Sequence, residues 1–501
     1  MAKYKKYSYD QGVMIPVDFT KQIVPGSLEY TIHWLVENKI DLTSIEAKYK
    51  NDKTGAPAYD PAILLKIVLL AYSRGIITSR KIMEACRENI VFMALSADSM
   101  PDFTTIAAFV RDMKDEVKKI FTNVLLVCDE MELLGGTEFA LDGCKISSNA
   151  AKENSGTFAD LALKKEKIEK TIDFILKQQI EKDATDLKEE NNTGHQRIER
   201  LRKKADKIEK FLEENTHKQK SRGGESQSNI TDNESAKMKT SHGVIQGYNG
   251  MALVDAKKQV VVSAEAFGSG HEQELLVPMI EEAKKNAEEI GLGHDYYKGK
   301  RIIADTGSFK EENLEYLSSE DIDAYIPDQQ YRRRDPRFSS MRRHKVLKDQ
   351  LFTKDDFIYD RYRDRFICPA GKILKYSGNQ KLANTEGRRY ISSRSNCNEC
   401  SLRDKCVRSD TTRYRTLYVV EKYFNRNYSD EMRLKIDSVE GREIYSRRMG
   451  IVEPVFGNIR CCKNLNRFTL RTKIKVNIQW VLYTIVHNIE KINRYGTMET
   501  V

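Results

Sequence analysis

The segment Phe-Ala-Leu-Asp-Gly at residues 139–143 is the best starting point for predicting how this chain folds. Three apolar residues that run into an acid and a glycine predict a short buried strand ending at Asp142. Further along, Arg-Ile-Ile-Ala-Asp at residues 301–305 repeats the pattern. It predicts a second buried strand ending at Asp305. Two acids are therefore expected at the ends of two strands.

The elements between these strands indicate that the two are neighbours in one sheet. Residues 244–254 and 259–266 predict an antiparallel strand pair, and residues 272–290 predict a helix. In a sheet with this order of elements the first and fourth strands can lie side by side. We therefore expect Asp142 and Asp305 to come close together at the ends of adjacent strands.

A third acid would complete a metal-binding cluster, and Glu453 is the candidate. It lies in the helical segment 441–492, which we expect to pack on the same sheet edge. Pro454 disfavours helical geometry at the preceding residue and removes a backbone donor, so a kink or a helix start is predicted there. Clustered carboxylates repel one another and suit hard cations such as Mg²⁺. Alternatively, Asp142 and Asp305 cap turns at strand ends and Glu453 lies on a solvent-facing helix surface.

The charge of the chain points to an anionic partner. Its 501 residues include 84 Lys and Arg against 74 Asp and Glu, a net charge of +10. Residues 331–501 alone carry +19, and the rest carries −9. Concentrated Lys and Arg bind polyphosphates by displacing counterions, which favours nucleic acid. Since no apolar run approaches the roughly 20 residues of a membrane span and no signal-peptide core follows Met1, a cytoplasmic protein is expected.

The pattern along the chain predicts one small helical domain followed by a mixed α/β core. Residues 1–130 read as short helices joined by tight turns, which fits a DNA-binding helix-turn-helix and any small bundle equally. Residues 155–216 have helical periodicity and predict a hairpin, whereas 217–242 is polar and typical of a flexible linker. The core is expected to span 137–492, with an irregular basic insertion at 331–440 and C-terminal helices at 441–492.

Four of the nine cysteines are concentrated in the basic insertion. Cys397 and Cys400 form a Cys-x-x-Cys knuckle, and Cys368 and Cys406 flank it. One knuckle with two outlying thiols can make a tetrahedral zinc site, which would staple a segment with little apolar content. The alternative is four reduced thiols, since disulfides are rare in the cytoplasm.

A basic run lies at the start of the same insertion and is a candidate DNA contact. Beside an active site such a run would track the phosphate backbone without reading sequence. The alternative is a solvated loop. The run contains Arg332, Arg333, Arg334, Arg342 and Arg343.

The ordered set of motifs resembles that of DDE transposases of bacterial insertion sequences. Ala-Leu-Asp-Gly at 140–143 matches their first-Asp motif, and Gly-Tyr-Asn at 247–249 matches the hairpin that follows it. Ala-Asp-Thr-Gly-Ser-Phe at 304–309 matches the second-Asp motif with one extra residue, and 452–460 matches the third. Pro-Asp-Phe-Thr-Thr-Ile at 101–106 resembles the end of the N-terminal domain of this group.

The tyrosine, arginine, glutamate and lysine signature of that family is also met, with two departures. Tyr445, Arg448, Glu453 and Arg460 occupy its positions. The gap from arginine to glutamate is one residue longer than usual. Arg460 replaces the lysine, although either side chain can hold a phosphate. The resemblance implies that Arg448 and Arg460 clamp DNA phosphate and that Tyr445 positions the strand.

The fold implied by the resemblance is mixed α/β: an RNase H-like core with an N-terminal helical domain, a helical insertion and a basic cysteine-bearing insertion. The implied activity is cleavage at insertion-sequence ends and joining of the 3′-OH to target DNA by two-metal phosphoryl transfer. Asp142, Asp305 and Glu453 would hold Mg²⁺ or Mn²⁺.

The same resemblance implies the partners and the location of the protein. The partners would be double-stranded DNA, as terminal inverted repeats and as target, and a second copy of the chain on DNA. The protein would be associated with the nucleoid in the cytoplasm. Two alternatives stay open, a metal-dependent nuclease without strand transfer and a DNA-binding protein that has lost catalysis.

Overall fold

The computed structural model describes residues 18–49, 57–183, 192–219, 223–241, 243–338, 340, 351–382, 385–407, 409, 411–420 and 427–497. The chain divides into two compact units. Unit 1 comprises Met1–Ser308, Glu320–Asp323 and Arg447–Val501, and unit 2 comprises Phe309–Ser319 and Ala324–Ser446. Helices and mixed sheets together confirm the predicted mixed α/β class and are consistent with an RNase H-like core plus a helical domain.

Helices account for both ends of the chain and for a long excursion in the middle. None in the described part of the chain is long and apolar enough to cross a membrane. In chain order they are α1 (Leu28–Asn38), α2 (Thr43–Glu46), α3 (Pro61–Ser73), α4 (Ser79–Glu88), α5 (Ile90–Leu95), α6 (Phe103–Asp112), α7 (Glu116–Glu130), α8 (Phe158–Asp183), α9 (Asn192–Glu214), α10 (Leu276–Glu289), α11 (Glu311–Ser319), α12 (Tyr331–Arg334), α13 (Arg394–Asn398), α14 (Tyr428–Asp437), α15 (Val439–Gly457) and α16 (Lys473–Tyr495).

The strands belong mainly to one sheet in each unit. In chain order they are β1 (Glu138–Ser147), β2 (Ser155–Gly156), β3 (Ser228–Asn229), β4 (Ala236–Thr240), β5 (Gly243–Asp255), β6 (Val261–Phe267), β7 (Arg301–Ala304), β8 (Asp323–Tyr325), β9 (Ile358–Asp360), β10 (Arg365–Ile367), β11 (Ile373–Leu382), β12 (Thr385–Ser392) and β13 (Thr416–Val420).

The N-terminal helices begin where the sequence predicts them. The Asp60 carboxylate accepts from the backbone N–H of Ala62 at 2.7 Å, and Pro61 occupies the first position of α3. The same cap recurs at α6, where Asp102 accepts from the N–H of Thr104. Each cap satisfies a donor that the helix itself leaves unpaired. These helices pack on α16 within unit 1, so the core and the helical region share apolar contacts.

The sheet of unit 1 places the two aspartates. Its strands follow the order β4-β5-β1-β7, β6 also pairs with β5, and Asp323 at the start of β8 continues beyond β7. Strand β1 is antiparallel to β5 and parallel to β7, with Leu141 opposite Ala304. The expectation that the first and fourth strands are neighbours is therefore met.

One detail of β1 differs from the prediction. The sequence predicts a strand ending at Asp142, but β1 continues to Ser147 because its pairing with β5 runs on to Gly247. Asp-Gly is a common turn signal, yet here it lies inside a ladder. A Cβ at Gly143 would meet the side chains of Met251 and Asn249, so glycine permits their close packing.

The predicted linker at 217–242 is partly wrong. Strand β4 lies within it and pairs with β5 from Ala236 to Thr240. Met238 is 2% exposed while Lys237 and Lys239 face solvent. The polar composition hides this alternation, which is the signature of an edge strand with one buried face. The preceding hairpin is present as α8 and α9, which bury a small apolar cluster around Ile168 and Ile208.

Unit 2 contains more regular structure than the sequence predicts. Residues 331–440 are expected to be irregular, but they contain an antiparallel sheet in the order β13-β12-β11-β10-β9. Its core consists of a few side chains, among them Phe366, Leu374 and Tyr390. Strands β9 and β10 have three residues each, which is too short for an alternating pattern to stand out in the sequence. Such short strands are recognisable only once their partners are in place.

Candidate active site

Asp142 and Asp305 lie on neighbouring strands of unit 1. Because Leu141 is opposite Ala304 in a parallel pair, the two aspartates that follow them are direct neighbours across strands about 4.8 Å apart. Both carboxylates are partly buried. The structure therefore brings together the first two acids of the predicted cluster.

Arg448 on α15 pairs with the first of these acids. Its Nη1 lies 2.7 Å from Asp142 Oδ2, and the two side chains are 14% and 20% exposed. The other oxygen, Asp142 Oδ1, accepts from the backbone N–H of Gly143 at 2.8 Å. A charge-assisted contact at low exposure is stronger than a surface pair. Arg448 was expected at DNA phosphate and here neutralises a carboxylate.

The electrostatics of Asp305 reflect crowding by acids. Burial, together with the charges of Glu272 and Asp142, raises the pKa of Asp305 to about 6, while Arg448 opposes this rise. The backbone N–H of Gly307 donates to Asp305 Oδ1 at 2.9 Å. Burial and two neighbouring acids therefore make the charged form of Asp305 less favourable than that of a solvent-exposed aspartate.

Glu272 is a neighbour of this site that the sequence did not single out. It lies in a 3₁₀ turn, Glu272–Glu274, which contacts the turn Thr306–Ser308. Its Oε1 is 3.2 Å from Lys145 Nζ and accepts from Asn249 Nδ2 at 3.4 Å. Asn249 was noticed only as part of the hairpin motif. Nothing local distinguishes Glu272 from other acids that begin a helix, so only the folded arrangement identifies it.

Glu453 lies on α15, and its side chain is exposed. Of the predicted kink or helix start at Pro454, the helix start is wrong, because α15 runs through the proline from Val439 to Gly457. Pro454 has no N–H to give to the carbonyl of Gly450, one turn earlier. Gln259 Nε2 instead donates to that oxygen at 2.9 Å, which allows the helix to continue.

Immediately after α15 the chain forms a π-helical turn, Asn458–Cys462, which contains Arg460. Such turns are rare and occur often at functional sites. Asn458 Nδ2 lies 3.0 Å from His487 Nδ1 and 2.7 Å from Glu490 Oε2, which anchors the turn to α16. Arg460 is exposed and close enough to β1 to oppose the rise in the pKa of Cys144, which burial raises to about 12.

The remaining candidates are distributed over unit 2. Tyr445 packs its ring against Tyr331, with ring centroids 5.3 Å apart. Arg334 pairs with Asp328 and Asp437, so it joins elements of that unit. Arg332 and Arg333 are exposed, whereas Arg342 and Arg343 lie outside the described residues. Cys368, Cys397, Cys400 and Cys406 line one small cavity.

Metal ligands are not preassembled in this arrangement. Among the residues that the structure describes, no group of three or more His, Cys, Asp or Glu side chains is arranged to hold a metal ion. The charges that act most strongly on Asp305 are those of Glu272, Asp142 and Arg448. The structure therefore gathers two of the three predicted acids together with Arg448.

Comparisons with protein families give two matches, one in each half of the chain. Residues 17–112 match the family model described as a transposase domain (DUF772), and residues 367–493 match the transposase DDE domain. These matches support a DDE transposase of an insertion sequence. The second match includes Glu453 and the four clustered cysteines, while Asp142 and Asp305 lie outside both. A comparison with curated proteins finds no match.

Proposed function

We propose that this transposase cuts DNA at the ends of its insertion sequence and joins the freed 3′-OH to target DNA. The observation that carries the proposal is the pair of carboxylates, Asp142 and Asp305, on adjacent strands beside Arg448. Two acids and a phosphate-binding cation are the side chains that phosphoryl transfer requires. Acids that only cap turns would not need a partly buried arginine from a helix distant in sequence.

The donor chemistry fits Mg²⁺ or Mn²⁺. Asp142 and Asp305 supply hard oxygen ligands, and Glu272 adds negative charge next to Asp305. Glu453 would complete the set from α15. When bound, the metal ions would activate the attacking oxygen and stabilise the leaving oxygen of the phosphodiester.

The residues of the chain have separate tasks in this proposal. Arg448 covers Asp142 in the absence of DNA and turns to a backbone phosphate when DNA enters, which uncovers the carboxylate. Arg460, exposed on the π-helical turn, holds a second phosphate. Gln259 donates to the Gly450 carbonyl and so keeps α15 helical at Pro454. The helix in turn fixes the position of Glu453 relative to Arg448.

Double-stranded DNA is the proposed substrate, both as terminal inverted repeats and as target. The N-terminal domain, 1–130, would bind the ends, and Arg332 and Arg333 would follow the phosphate backbone. Two ends must be joined in one reaction, so we propose a homodimer on DNA. Such contacts with phosphate predict an affinity that falls steeply with salt.

The test uses the purified full chain with labelled terminal-repeat DNA, Mg²⁺ or Mn²⁺, and a target plasmid. Asp142→Asn keeps the size of the side chain and removes its charge. It is expected to lower cleavage by on the order of 1,000-fold, similar to other losses of a single catalytic group. DNA binding at fixed salt should be retained. Asp295→Asn, an exposed acid on a turn, is the matched control.

Three outcomes would overturn parts of this proposal. Unchanged cleavage by the Asp142→Asn variant would remove Asp142 from the site. Metal-dependent cleavage without joined product, when pre-cut ends are supplied, would instead indicate a nuclease that lacks strand transfer. Binding without cleavage in the unmodified chain would indicate a DNA-binding protein that has lost catalysis.

A further inference from the structure

The four cysteines of unit 2 come from separate places in the chain and meet at one point. Cys368 follows β10, Cys397 belongs to α13, and Cys400 and Cys406 lie around the next turn. All four line a cavity of about 20 Å³. A space of about 10–15 Å³ already holds one water, so the cavity suits a single small ion. Scattered reduced thiols would not be expected to converge in this way.

Backbone groups around the cavity point at sulfur. The N–H of Lys372 donates to Cys368 Sγ at 3.2 Å, and the N–H of Arg415 donates to Cys397 Sγ at 3.5 Å. The first contact depends on a tight turn in which Gly371 has φ +73°, a conformation that favours glycine. Thiols are weak acceptors, whereas thiolates are strong ones, so these donors suit metal-bound sulfur.

Arg403 and Arg415 hydrogen-bond to the loops that carry the cysteines, and their positive charges can offset negative charge on sulfur. Arg415 donates to the carbonyl oxygens of Cys406 and Phe352 at 2.8 and 2.7 Å, and Arg403 donates to that of Cys397 at 2.9 Å. Both arginines line the same cavity as the four cysteines.

We propose that Cys368, Cys397, Cys400 and Cys406 bind one structural Zn²⁺ as a tetrathiolate. Four sulfur ligands fill a tetrahedral shell and leave no open position, so the role is stability rather than catalysis. Binding releases the four thiol protons and leaves a net charge of −2, which Arg403 and Arg415 offset. The described thiols do not yet form a coordination shell, so they must turn from the cavity wall toward its centre.

The reason for such a site is the small core of this sheet. Its buried side chains are few, and two of its strands span three residues each. A scaffold with so little apolar content is commonly stapled by a metal or by disulfides. Cys368 and Cys406 also pack against the core, so a metal bound there would join the loops to the sheet.

The first experiment measures metal in the full chain purified without a metal-affinity step. Elemental analysis is expected to give about one zinc per chain. An organomercurial that modifies thiols should release this zinc to a chromogenic chelator. Zinc near zero with reactive thiols would overturn the proposal, as would a disulfide among the four cysteines or iron in place of zinc.

Variants then locate the metal. Cys397→Ser is expected to lose most of the zinc and to lower the melting temperature of unit 2. Cys461→Ser, an exposed cysteine on the π-helical turn, is the matched control and should keep its zinc. Retention of zinc by Cys397→Ser would overturn the assignment.

A second measurement covers the case in which Cys397→Ser does not fold. Co²⁺ exchanged into the unmodified chain should give the visible absorption of a tetrahedral tetrathiolate site, and another spectrum would refute the ligand set. Metal content is independent of cleavage, so this site and the proposed transposition can fail separately.

Discussion

Acidification from about pH 7 to pH 5 should destabilise unit 1 through His487. This side chain is 1% exposed on α16. Its Nε2 lies 2.9 Å from the carbonyl oxygen of Gln259, and its Nδ1 lies 3.0 Å from Asn458 Nδ2. The neutral ring with a proton on Nε2 satisfies both contacts. A second proton on Nδ1 would face the N–H₂ group of Asn458, so the folded state resists protonation.

The size of the effect follows from the pKa of His487. Burial, together with the charges of Lys491 and Lys463, lowers this pKa from 6.5 to about 3, while the hydrogen bond to the carbonyl of Gln259 opposes the shift. The nearby carboxylate of Glu490 accepts hydrogen bonds from Asn458 and Lys463. Below pH 6.5 the unfolded chain binds a proton that the folded chain rejects, so stability falls as the pH falls. One pKa unit is about 1.4 kcal/mol, which gives a loss of about 2 kcal/mol at pH 5.

The assay is urea unfolding followed by tryptophan fluorescence at several pH values. Both tryptophans, Trp34 and Trp480, lie in unit 1, so the signal reports this unit. His487→Gln should be less stable than the unmodified chain at pH 7 but should lose about 2 kcal/mol less on acidification. His271→Gln, at an exposed position, is the control. Parallel stability curves for the unmodified chain and His487→Gln would refute the reasoning.

Two further predictions concern the packing around Trp480 and the ion pair between Arg448 and Asp142. Gly250→Ala places a Cβ 3.0 Å from the Trp480 ring and should lower the free energy of unfolding in urea by about 1–3 kcal/mol. Gly450→Ala is the control, because a Cβ there meets nothing within 4 Å, and it should not lower that free energy. Equal stability of the two variants would contradict this packing. Arg448→Ala should tighten Mn²⁺ binding in calorimetry and slow DNA cleavage, because the guanidinium no longer competes for Asp142, and unchanged Mn²⁺ affinity would show that the ion pair does not cover the site.

The sequence predicted correctly those features that depend on residues close together in the chain. Asp60 and Asp102 cap helices because a cap needs only a short polar side chain next to the first turn. The order of strands was enough to place Asp142 near Asp305. In contrast, the Asp-Gly signal at 142–143 was misread, because a long ladder with β5 overrides a turn preference.

The active-site surroundings were harder to predict because they join residues far apart in the chain. Glu272 beside Asp305 and Gln259 under Pro454 have no local signature. The pairing of Arg448 with Asp142 spans about three hundred residues and depends on how α15 packs. The exposed position of Glu453 likewise follows from that packing. Side chains with these roles are identified by their neighbours and not by their spacing.

By itself, the sequence determined the mixed α/β class, the capped helices, the adjacency of the first two acids and the resemblance to DDE transposases. These depend on periodicity, turn chemistry and ordered motifs, which are properties of short segments. The tertiary structure alone decided that Arg448 covers Asp142, that Glu272 crowds Asp305, and that four cysteines share one cavity. Such contacts form only when the burial of apolar surface brings distant segments together. They therefore cannot be predicted from the pattern of residues in a short segment.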